Sequence, residues 1–134
     1  MRLQDWPKRL DKIVTERFKK PFAWGTHDCC MFAADVILEL TGEDLGADVR
    51  GKYSSKEEAE ALLTSRGGVK GIAEGLLGKG VDPKLAQRGD LVLISNGENL
   101  EAFGICMGSN YVALGLKQLE YKSMQSALLA WGIK

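Results

Sequence analysis

Histidine occurs once in these 134 residues, at position 27. That scarcity constrains the chemistry more than any other feature, because a mechanism that needs an imidazole has a single candidate. Cysteine is nearly as sparse. Cys29 and Cys30 are adjacent and badly placed to bridge each other, which leaves only Cys106, so no disulfide framework is available. No apolar stretch approaches the length of a membrane span. Met1-Arg2-Leu3-Gln4-Asp5-Trp6 has a basic residue with no apolar run behind it, so no secretory leader is expected, and the free thiols suit a reducing cytoplasm. Eighteen basic and eighteen acidic side chains cancel, so neither nucleic acid nor an anionic membrane is an expected partner. The sixteen glycines include no phosphate-cradling loop, since neither Gly67-Gly68 nor Gly78-Lys79-Gly80 has the Lys-Ser/Thr ending. Internal repeats, low-complexity segments and interdomain linkers are likewise missing.

What is present describes an ordinary globular chain. With 45% apolar and 27% charged residues, the length suits one domain over residues 1–134, large enough to enclose a core without metal or disulfides. Basic residues concentrate in the first twenty positions and acidic ones between 39 and 60. Two solvated helix faces of opposite sign are the expected origin of this pattern.

Periodicity places helices first. Leu3, Trp6, Leu10, Ile13, Val14 and Phe18 share one face of a helix that begins at an Asp5 N-cap and ends before Pro21. A second helix runs from an Asp28 cap to Thr41-Gly42 and is so apolar that it must be central. Residues 43–54 read as an irregular connection whose most distinctive part is Arg50-Gly51-Lys52-Tyr53. Ser55 and Glu58 form a capping box for a helix over about 56–65, and Val69 to Leu77 give a further short helix. After Pro83 the period changes. Strands are expected at Leu91–Ile94, bounded by Ser95-Asn96-Gly97, then at Ala102–Met107 and Tyr111–Leu114, with another over 117–122. Gln125 to Ala130 reads as helical, followed by a short extended end. Helices followed by an antiparallel sheet define an α+β class.

The chemistry concentrates at Trp24-Gly25-Thr26-His27-Asp28-Cys29. A cysteine on the first turn of a helix feels the positive end of the macrodipole, which favours the thiolate. His27 lies two residues before the thiol, so an active His27–Cys29 pair stands against an exposed loop histidine that plays no part. Asp28 beside the thiol opposes its ionisation. His27, Asp28, Cys29, Cys30 and Cys106 carry enough donor atoms to invite zinc. Neighbouring helix positions diverge by about 100° and do not converge tetrahedrally, so no metal and no cofactor are expected. Trp24 and Trp131 either line a groove or simply pack.

Phe22-Ala23-Trp24-Gly25 with Asp28-Cys29, then Arg88-Gly89-Asp90-Leu91-Val92 and Phe103-Gly104-Ile105-Cys106-Met107-Gly108, resemble the NlpC-like branch of the papain-fold cysteine peptidases. Those enzymes cleave peptidoglycan stem peptides. The resemblance implies a papain-like fold with Cys29 as nucleophile and Trp24 and Asp28 near substrate. It also implies a base just ahead of Gly104, where this chain has Ala102, and an orienting polar group on the next strand, where Val112, Ala113 and Leu114 offer none. A tighter resemblance, to small bacteriophage tail-associated proteins, adds Arg50-Gly51-Lys52-Tyr53, Gly67-Gly68 and Ala130-Trp131. It implies a tail or tail-tip component of a virion, assembled in the host cytoplasm beside other tail proteins as part of an oligomer, and built on a degenerate peptidase. The alternative it leaves open is an active hydrolase of cell-wall peptides, with Cys29 as nucleophile and His27 or a partner chain's histidine as base.

Overall fold

Four helices precede five strands in the computed structural model, which describes residues 1–95 and 100–134. Helix α1 spans Trp6–Arg17, α2 Cys29–Thr41, α3 Lys56–Ser65 and α4 Gly68–Leu77. Strands β1 Leu91–Ser95, β2 Glu101–Cys106, β3 Asn110–Leu114, β4 Leu119–Ser123 and β5 Ala127–Trp131 form one antiparallel sheet in the order β4-β3-β2-β1-β5. The expected Asn96-Gly97 turn between β1 and β2 lies outside the described residues.

Strand alternation sorts the core into two layers. Leu91, Leu93, Phe103, Ile105, Val112 and Trp131 face the helices, where they meet Leu10, Val14, Phe32, Val36, Leu40 and Ala73. Val92, Ile94, Ala102, Cys106, Tyr111 and Ala130 face the other way and are also buried. Helix α2 is central, as its composition requires, with seven of its thirteen residues buried. Its start is fixed by Asp28, whose side chain accepts from the Met31 N–H, and its end by Gly42 at φ 81°.

Two local expectations are corrected. The segment 125–130 is not a helix: a 3₁₀ turn over Met124–Ser126, capped by Ser123, leads directly into β5. The physical reason is non-local. Without β5 the buried strand β1 would present an open edge, and pairing with Leu129, Ala130 and Trp131 satisfies it, which overrides the weak helical pattern. Asp5 stands at the N-cap position of α1 but makes no capping bond; its carboxylate instead pairs with Arg9 at 2.8 Å.

The basic first twenty positions meet the acidic 39–60 segment at Arg9, which donates to Glu39 at 3.3 Å. Asp35 on α2 accepts from Arg17 at 2.8 Å and from Arg50 at 2.7 Å, and Arg50 also holds Asp44 at 2.9 Å. At the far end of the sheet, Arg2 donates to Asp90, to the Arg88 carbonyl and to the Ile133 carbonyl, each at 2.7 Å. The chain's first residues are thereby tied to the entry of β1 and to the C-terminal segment.

Candidate functional site

The loop before α2 is organised around the Asp28 carboxylate. One oxygen accepts from the Met31 N–H at 2.9 Å; the other accepts from the Gly25 N–H at 2.8 Å and the Tyr53 hydroxyl at 2.6 Å. Gly25 has φ 83°, and a Cβ there would stand 2.2 Å from the Tyr53 carbonyl oxygen, so only glycine permits this approach. Tyr53 is buried, and both burial and its bond to Asp28 push its phenol far above the usual range. Both Asp28 oxygens are therefore hydrogen-bonded within the protein. Tyr53 is the site residue that sequence reasoning left without a role. Arg50-Gly51-Lys52-Tyr53 stood out as a motif, but only the folded chain shows which carboxylate its hydroxyl meets.

Cys29 occupies the first turn of α2, where the helix end meets β2. Strand β3 pairs with β2 only from Gly104 onward, which leaves Ala102 and Phe103 without a β3 neighbour. The Cys29 sulfur lies 4.0 Å from that of Cys30. Its thiol is held below the ordinary cysteine range, first by donation from the Cys30 thiol and then by the Phe103 and Cys30 N–H groups, against the opposing effects of burial and of Asp28. Cys30 moves the other way, well above the ordinary range, because it supplies that hydrogen bond and is itself desolvated. The carboxylate of Asp28 does oppose ionisation of Cys29, but it does not prevail.

His27 answers to neither alternative offered by the sequence. It is not exposed: its side chain is fully buried, at 0% accessibility. Nor is it paired with Cys29, for neither ring nitrogen has a hydrogen-bond partner among the described residues. A backbone bridge between Ala23 and His27 fixes the loop, and the ring packs edge-on to Phe32 at 5.9 Å. Burial, then the charges of Lys20 and Arg17, hold its pKa below the ordinary histidine value, with Asp35 acting weakly the other way. Ala102, where the resemblance implies a base, is buried on the far layer of the sheet beside Cys106 and Tyr111, and Cys29 packs against that same group.

Trp24 is 38% exposed and stands edge-on to Phe22 at a ring separation of 4.6 Å. It lines a cleft of about 380 Å³ beside α2, α3 and α4, which Cys29, Cys30, Tyr53, Asp48 and Arg66 also line. Trp131 is elsewhere: buried, with its indole N–H donating to the Gly78 carbonyl at 2.9 Å, it closes the end of α4.

Four helices, the following antiparallel sheet and a thiol at the head of the central helix define an NlpC/p60-like, papain-type fold. The crystal structure described as the NlpC/p60 domain of peptidoglycan hydrolase SagA superposes with a TM-score of 0.59 over 93% of this chain and 97% of that one, at 18% identity. The chain belongs to the family described as "Domain of unknown function (DUF6950)", which matches residues 1–133. Among curated proteins, none matches it.

Proposed function

We propose that residues 1–134 work as one NlpC-like unit that does not hydrolyse amides and serves as a structural or assembly component of a bacteriophage or prophage tail. The observation that carries the first half is the absence, among the described residues, of a carboxyl or imidazole group free to act opposite Cys29. Ala102 fills the strand position, Asp28 is occupied by the helix cap and by Tyr53, and His27 is turned to Phe32. A thiolate can attack an amide carbonyl, but the amine leaves only if it is protonated, and the adjacent Cys30 thiol, held well above the ordinary cysteine range, is too weak an acid for that step. The tail assignment, with other tail proteins as partners and the virion as location, rests on the sequence resemblance through Trp24-Gly25, Asp28-Cys29, Arg50-Gly51-Lys52-Tyr53 and Ala130-Trp131.

One observation favours the competing reading of a cysteine hydrolase acting on cell-wall peptides: the lowered Cys29 thiol. Purified protein and its Cys29→Ala variant, incubated with purified peptidoglycan, separate the two. The proposal expects no peptide release from either, together with the protein's recovery in purified phage tails by immunolabelling. Peptide release that vanishes in Cys29→Ala replaces this reading with the hydrolase.

A further inference from the structure

We infer that Cys29 accepts an aliphatic acyl chain by thioester exchange and that the chain lodges in the cleft between α2, α3 and α4, an inference that rests on the loss of amide hydrolysis proposed above. The two thiols line the cleft with Trp24 and Tyr53, and most of the remaining wall is aliphatic, Ile37, Leu63, Ile72 and Leu76 among it, with Asp48 and Arg66 as its further charged members. A cleft of this size with a mostly apolar lining suits an apolar occupant. A cavity of about 150 Å³ already binds benzene, and on that scale 380 Å³ takes roughly a dozen carbon atoms. Asp28, the charged group nearest the thiols in sequence, accepts from the Met31 and Gly25 N–H groups and the Tyr53 hydroxyl.

The leaving group decides which acyl donors the site can use. An amine must be protonated to depart, whereas a carrier thiol leaves unaided as a thiolate of ordinary acidity. The Cys29 sulfur attacks the thioester carbonyl carbon and forms a new S–C bond. The carrier's S–C bond then breaks, and its sulfur departs with the bonding pair and takes a proton from water. Nothing is oxidised or reduced. Negative charge developing on the carbonyl oxygen is favoured by the N-terminal end of α2. With no carboxyl or imidazole free beside Cys29 among the described residues to activate water, the product thioester persists instead of turning over.

The experiment incubates the full chain with acetyl-, octanoyl- and dodecanoyl-coenzyme A and follows intact mass and hydroxylamine lability. Expected is one hydroxylamine-labile acyl group on Cys29, formed at least about tenfold faster from the dodecanoyl than from the acetyl donor, because each buried methylene favours the complex. Cys29→Ser abolishes the adduct and Cys106→Ser retains it. Gly75 lines the cleft with nothing within 4 Å of where a Cβ would stand, so Gly75→Leu is expected to bring the dodecanoyl-to-acetyl rate ratio down toward one. Absence of an adduct, labelling at Cys106, or equal rates for short and long donors overturns the inference and leaves the non-hydrolytic reading standing. Peptide release from peptidoglycan overturns that reading instead.

Discussion

Tyr53 and His27 are the side chains whose surroundings carry the sharpest consequences. The Tyr53 hydroxyl donates to a buried carboxylate that also caps α2, and hydrogen bonds to charged groups contribute about 1.5–3 kcal/mol. Tyr53→Phe is expected to lower stability by that amount, read as a fall in urea midpoint with unchanged slope. His27 is buried and neutral, with Lys20 and Arg17 nearby and Asp35 the opposing charge. Its folded-state pKa lies below the unfolded value of 6.5, so the unfolded chain binds the extra proton as pH falls through that value. Stability is therefore complete above 6.5 and declines on acidification, with a slope of at most ~1.4 kcal/mol per pH unit until the folded-state pKa is reached. Urea titrations of His27→Phe between pH 8 and pH 5, set against the natural chain, are expected to show that part of the decline removed.

The helices depend on how their ends are made, and two glycines separate the causes. Gly42 ends α2 at φ 81°, and a Cβ added there would meet nothing within 4 Å, so Gly42→Ala adds backbone strain alone, about 1–2 kcal/mol. Gly25 has the same backbone strain at φ 83° plus a Cβ that would collide with the Tyr53 carbonyl at 2.2 Å. Gly25→Ala is expected to cost clearly more than Gly42→Ala in thermal unfolding, and to lose near-ultraviolet tyrosine signal as Tyr53 is displaced. The cap of α3 shows the limits of a motif read in isolation. Ser55 accepts from the Glu58 N–H at 3.2 Å as a capping box requires, but Glu58 returns its bond to the Ser54 N–H at 3.0 Å.

The fold as one body is closed by Asp90. Its carboxylate receives Arg2 at 2.7 Å, the Gln87 N–H at 2.8 Å and the Ile133 N–H at 3.1 Å, joining the first residues, the entry of β1 and the C-terminal segment. Removing one partner of a buried ion pair strands the other, at a cost of about 3–5 kcal/mol. Asp90→Ala is expected to lose that much in chemical denaturation, and Arg2→Ala to lose a comparable part of it through the same contacts. Both variants keep Cys29 and the cleft, which lie with α2, α3 and α4.

Periodicity and capping residues were enough to place α1 to α4 and the first three strands, because those elements are specified by neighbours within a few positions. Ser55-Glu58, Asp28 and Gly42 are local signals, and the thiol at the head of α2 follows from them. The place of Ala102 on β2 was equally legible, but only the NlpC-like resemblance marks that position as one for a base. Folding alone determined β5, which forms because β1 needs a second partner, and the burial of His27, which depends on Phe32 and a bridge to Ala23. It also determined the Tyr53–Asp28 bond across twenty-five positions and the cleft beside the thiols. Such contacts join segments whose sequences carry no mark of one another; only the packing of the whole core brings them within reach.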